Sequence, residues 1–174
     1  MRARVTVLLF ALALPAWAAP GAEGLHKQGL QKQAIQTPFI QTPNPAARDL
    51  CPVCGMVVAK YPAWIATVVY QDGHAHHFDG AKDMFKYLFD LKRYAPRHRA
   101  ENINRIGVTE YYELKRIDAR KAWYVIGSDV LGPMGHELIP LASRADAEEF
   151  LRDHKGKQIL RYDEVTRAVI SRLG

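Results

Sequence analysis

The sequence predicts an α+β fold made of two similar ββα-type units, with antiparallel strands and helices packed on one face. Three observations carry this. The stretches AWIATVVY (63–70) and KAWYVIGS (121–128) are dense in aromatic and β-branched residues and read as strands. Each is followed, after a second short strand, by a helical pattern that starts at a capping residue. The two strand-to-helix junctions also echo each other. FDGAKDMFKYL (78–88) and LASRADAEEFL (141–151) align without a gap. Helices covering sheets in this way give a layered α+β architecture.

The chain of 174 residues opens with MRARVTVLLFALALPAWAAP. Arg2 and Arg4, an apolar run and the Ala16-Trp17-Ala18 cleavage pattern read as a signal peptide over residues 1–18. The apolar run is shorter than the ~20 residues a membrane span needs. The expectation is therefore an exported, periplasmic protein with a cleaved signal. The formal net charge is +6, or +4 once Arg2 and Arg4 leave with the signal. That charge is spread along the chain, and nucleic acid is not expected as a partner in this compartment. Residues 19–48 are rich in Gln, Pro and Ala and carry the near-tandem IQTPFIQTP. Pro38, Pro43 and Pro45 block regular structure, so the segment reads as an extended linker.

The first unit is expected over 49–100 and the second over 101–174. In the first, Asp72-Gly73 reads as a two-residue hairpin turn that sets Gln71 opposite His74 and Val69 opposite His76. Alternation then puts His74, His76 and Phe78 on one face and His77 on the other. Asp79 is the expected N-cap of a helix whose stripe is Ala81, Met84, Phe85, Leu88 and Phe89. Residues 93–107 read as a polar connection. In the second unit, VTEYYELK, KAWYVIGS and LIPLA read as strands, and Ser143 caps RADAEEFLRDH. GKQILRY and DEVTRAVISRL complete it as a strand and a helix.

The chemistry gathers in DLCPVCGMVVAKYP (49–62), which holds both cysteines of the chain. A thioredoxin-type C-x-x-C sits at a helix N-terminus after a buried strand, and neither flank fits. A zinc corner completed by His74 and His76 has a suitable strand face but no standard finger spacing. A permanent Cys51–Cys54 disulfide closes too small a loop to stabilise much, but fits an oxidised resting form. A soft metal is the fourth reading. Thiolate and thioether together select Cu(I), and Cys54 and Met56 share a face if the segment is extended. Gly55 lets the backbone curl between them. Met134, in the loop GPMGHE, and His136 are a second candidate ligand pair.

The motifs CPVCGMVV…YP.W.A, DG….FDG.KDMF, IDA..AWYVIGS and GPMG.ELIP, in this order, resemble the NosL family of nitrous oxide reductase accessory proteins. The similarity runs from about Asp49 to Asp163. It implies two similar ββα-type units and a non-enzymatic periplasmic Cu(I) metallochaperone. The implied partners are a copper donor protein and a copper enzyme client, nitrous oxide reductase. Cys54 and Met56 inherit the ligand role through the C-G-M motif, with Cys51 as supporting thiol. A histidine is expected to complete the set: His76 first, then His74 and His136. Family members carry a lipidated cysteine at the end of the signal. This chain has none there, which argues against membrane attachment. The competing function classes are a thiol-disulfide redox protein and a zinc-stabilised interaction module.

Overall fold

The computed structural model describes residues 37–174. The signal segment and the first part of the linker lie outside the described residues. From Thr37 the chain is extended, as its prolines require, but it is docked. Thr37 N donates to Ala142 O at 2.7 Å, Ile40 N donates to Arg116 O at 2.9 Å, and Phe39 forms a bridge with Ile117.

Strands β1 (Ala66–Tyr70) and β2 (Ala75–Phe78) form an antiparallel hairpin. Its loop has three residues, not two. Tyr70 N donates to His74 O, and Gly73 closes the turn at φ 85. Asp72 favours this form because its Oδ1 accepts from His74 N at 2.9 Å. The extra residue shifts the register by one, so His76 faces Val68 and Ala75 faces Val69. The alternation of the histidines themselves is unchanged. Thr67 and His77 share the opposite face, with Thr67 Oγ1 3.0 Å from His77 Nδ1.

Helix α1 (Ala81–Phe89) begins after Gly80, not Asp79. The expected cap fails because the Asp79 side chain is engaged with Cys54. Glu137 supplies the missing acceptor from elsewhere in the chain. Its Oε1 accepts from Lys82 N at 2.6 Å and Leu138 N at 2.8 Å. Gly80 is needed for that approach, since a Cβ there would collide with the Glu137 carboxylate.

A short helix α2 (Leu91–Tyr94) leads to β3 (Ile103–Thr109) and β4 (Arg116–Asp118). The segment 93–107, expected to be connection, thus contains most of a strand. Asn104 and Arg105 are exposed, and only from Ile106 onward is β3 buried, so the polar start hides the pattern. Conversely, VTEYYELK leaves the strand at Glu110, where Glu113 N donates to Glu110 Oε2 and turns the chain. The first sheet has the order β2-β1-β3-β4 and so takes in strands from 101–118.

The rest of the chain repeats the plan. Strand β5 (Trp123–Ile126) precedes a small hairpin, β6 (Leu131–Gly132) and β7 (Gly135–His136). Then follow β8 (Ile139–Leu141), helix α3 (Arg144–Asp153), β9 (Gln158–Arg161) and helix α4 (Arg167–Ser171). The second sheet has the order β8-β5-β9, all antiparallel. Both units are therefore ββαβ: the first strand is central, its hairpin partner lies on one side, and the strand after the helix lies on the other. The echo seen in the sequence is structural. Phe78 and Leu141 end equivalent strands, Gly80 and Ser143 are the N-caps, and Asp83 and Asp146 hold the third helical position. Ser143 Oγ accepts from Asp146 N at 3.1 Å, as its sequence position predicts.

One core joins residues of both sheets, among them Val68, Phe78, Phe85, Ile106, Val108 and Tyr124. A smaller cluster of Val125, Ile139, Leu141, Ala147 and Phe150 lies between the second sheet and α3. Cys51 and Val58 belong to the larger core, which anchors the cysteine loop to the first unit.

Candidate metal centre

The cysteine loop is a closed knuckle. A bridge between Leu50 and Val57 clamps its base. Inside it, Cys51 N donates to Met56 O at 2.8 Å and Gly55 N donates to Cys51 O at 2.9 Å. Gly55 sits at φ 78, a left-handed conformation that a side chain would strain. Pro52 and Val53 form the turn between the two thiols. Both cysteines are free; Cys51 is buried and Cys54 half-buried.

The loop folds over the junction between β2 and α1, which brings the thiols against two carboxylates. Cys54 Sγ lies 3.2 Å from Asp79 Oδ1, and Cys51 Sγ lies 3.6 Å from Asp83 Oδ2. Asp79 leaves the end of β2, and Asp83 points back from the first turn of α1. One ligand atom from each of Cys51, Cys54, Asp79 and Asp83 falls within a mutual distance of 4.8 Å. Both carboxylates are almost fully buried. Asp83 Oδ1 is ion-paired with Lys86 at 3.2 Å, but neither it nor Asp79 Oδ2 has a hydrogen-bond partner among the described residues.

These surroundings keep the thiols protonated. Burial pushes the Cys51 thiol up to about 11, helped by Asp79 and opposed by backbone N–H groups of the loop. Cys54 is pushed up further, first by burial and then by Asp79 and Asp83. Each S–H donates to a carboxylate, so loss of the proton would set two negative charges face to face.

The other candidate residues fall in three places. Met56 is half-buried at the exit of the knuckle, and its carbonyl closes the loop. His76 and His74 lie together further back on the hairpin, with Nε2 atoms 3.2 Å apart. His98 stacks on His74 at 5.2 Å between ring centroids and reaches Asp72 at 3.3 Å. His76 also packs on Tyr87 and is lowered to about 4 by burial and by its imidazole neighbours. Met134 and His136 belong to the β6–β7 hairpin and are exposed. That hairpin is tied to α1 by Lys82 Nζ, which donates to Met134 O at 2.7 Å. Among the described residues, the group of three or more His, Cys, Asp or Glu ligand atoms that converges is the thiol–carboxylate cluster, and it contains no histidine.

Asp79 and Asp83 are the site residues that sequence reasoning missed. Their signal was an i, i+4 acid pair at a helix start, which reads equally well as capping and dipole chemistry. Only the tertiary closure of the knuckle over that junction separates the two readings.

The fold and the site thus define a tandem ββαβ protein with a loop-borne dithiol cluster in its first repeat. The chain belongs to the NosL family, whose profile matches residues 43–170. It is 28% identical over 129 residues to the copper-binding lipoprotein NosL of Stutzerimonas stutzeri. That match covers 70% of this chain and 64% of the relative's length. The crystal structure of the copper chaperone NosL from Shewanella denitrificans superposes with a TM-score of 0.62 at 26% identity. It covers 75% of this chain and 99% of the other.

Proposed function

We propose that this chain is a non-enzymatic Cu(I) metallochaperone of the cell envelope. In this reading it is exported by the segment 1–18, receives copper from a donor protein and passes it to a copper enzyme, nitrous oxide reductase. The Cu(I) donor set is Cys51, Cys54 and Met56, three sulfurs on one knuckle. The observation that carries the reading is the free dithiol, buried against Asp79 and Asp83, on the loop that also bears Met56.

Copper here is cargo. Thiolate and thioether sulfur favour Cu(I) over harder ions. The carboxylates that accept from the two S–H groups lie on the path by which each departing proton leaves for solvent as copper takes its sulfur. They also oppose the thiolate state, so the metal-bound form is not over-stabilised and a client with more ligands can draw the ion away. The same raised thiols count against the thiol-disulfide enzyme, which needs a readily formed thiolate. The copper-binding and copper-chaperone descriptions of the two relatives support the assignment of cargo.

Titration of the reduced protein with Cu(I) against a chromophoric competitor tests the reading. One ion per chain is expected, with affinity lowered in Cys54→Ala and in Met56→Ala. Unchanged affinity in both variants would remove the site assignment.

A further inference from the structure

The internal repeat places a second feature where the first unit holds its dithiol cluster. Ala142 stands in the position of Asp79, and Asp146 in that of Asp83. Both line a cavity of about 250 Å³, together with Phe39, Glu110, Tyr112, Glu113 and Glu149. Four of the seven lining residues carry carboxylates, on a chain whose net charge is +6.

Glu110 is the informative member. It is 2% exposed, its Oε2 accepts from Glu113 N at 2.6 Å, and its Oε1 has no partner among the described residues. A buried acceptor left unmatched is a standing cost that a donor entering the cavity removes. The rim carries two exposed aromatic rings, Phe39 at 48% and Tyr112 at 46%. Lys115 already shows what chemistry the rim accepts. Its Nζ lies 4.6 Å from the Phe39 ring centroid and 2.8 Å from Glu113 Oε2. A compact divalent ion is a poor fit, because these carboxylates are not among the ligand atoms that converge within 4.8 Å in the described residues. An extended organic cation fits both parts: its charged head meets the carboxylates and its stem and face meet the rings.

We propose that this acidic, aromatic-rimmed cavity, between the β3–β4 connection and helix α3, is a docking pocket for a lysine or arginine side chain of a partner protein. The proposal goes beyond the copper reading and uses none of its residues.

The test is an amide-resolved NMR titration of the reduced full chain with N-acetyl-arginine methylamide and N-acetyl-lysine methylamide. Sodium chloride at equal ionic strength and calcium chloride are the control arms. Saturable shifts centred on Glu110, Tyr112, Asp146 and Glu149 are expected from at least one of the two amides. Binding should weaken about fivefold or more when a charged acceptor is lost in Glu110→Gln. Glu149→Gln, on the cavity rim, gives the same readout if Glu110→Gln does not fold. The same shifts are expected in Cys51→Ser/Cys54→Ser, so failure of the copper reading and failure of this one are distinguishable. Scattered or absent shifts, shifts matched by sodium chloride, or binding of calcium alone would overturn the proposal.

Discussion

In the proposed reading, loading Cu(I) onto the knuckle must strip protons from thiols that the fold holds. Cys51 is pushed up to about 11 and Cys54 further, burial being the first cause in both. At 1.36 kcal/mol per pKa unit, ionising Cys51 at pH 7 costs roughly 5 kcal/mol, which the metal–sulfur bond must exceed. Between pH 6 and 8 both thiols stay protonated in the metal-free protein. Each thiolate formed on binding then releases one proton, and affinity rises about tenfold per pH unit per thiol. A site using both cysteines gains about 10⁴-fold from pH 6 to 8, and a site using one gains about 10²-fold. The assay is competition with a Cu(I) chromophore whose own protonation is corrected at each pH. Asp79→Asn provides the control. It removes the carboxylate 3.2 Å from Cys54 Sγ, so affinity at pH 7 should rise while the pH slope stays the same. A flat profile would refute the reasoning, because it would mean that the thiols are already ionised or do not bind.

Three further outcomes follow from the packing. Glu137 is buried, and burial raises its carboxyl to about 8 despite two backbone N–H donors and the Lys82 charge. Its folded value lies above its ordinary one, so it contributes stability below about pH 4.5 that is lost as pH rises through about 8. Thermal melts of the wild type should therefore fall between pH 5 and 8, and those of Glu137→Gln should fall less. Gly80→Ala pushes a methyl into the Glu137 carboxylate and should cost about 1–3 kcal/mol, read by urea unfolding. Oxidation of the thiol pair with diamide should join Cys51 to Cys54 and abolish Cu(I) binding, with recovery on reduction.

The cysteine segment was legible as the place where the chemistry gathers, but not its shape: the extended form that would set Cys54 and Met56 on one face gives way to a closed turn, with Gly55 left-handed at φ 78 and Cys51 N bonded to Met56 O. The repeat was legible too, since Ser143 and the strand endings Phe78 and Leu141 sit at matching sequence offsets. What could not be read is what depends on closure between distant segments. Asp79 looked like a helix cap, and it lost that role to Glu137, a residue 58 positions later, because Gly80 admits the intruding carboxylate. Strand β3 looked like connection because Asn104, Arg105 and Gly107 dilute its apolar pattern. Gly107 is there for a packing reason, as a Cβ would press on Thr42 of the docked N-terminal segment. His74 and His76 were candidates because alternation puts them on one strand face and because the family resemblance leads one to expect a histidine. The strand carries them instead toward Tyr87 and His98, where they meet one another.

The central claim is that sulfur from one knuckle holds the copper. X-ray absorption at the copper edge of the Cu(I)-loaded, reduced protein measures this directly. A first shell of sulfur alone, two or three atoms, is expected, and it collapses in Cys51→Ala/Cys54→Ala. A first shell dominated by nitrogen or oxygen, unchanged in that variant, would contradict it.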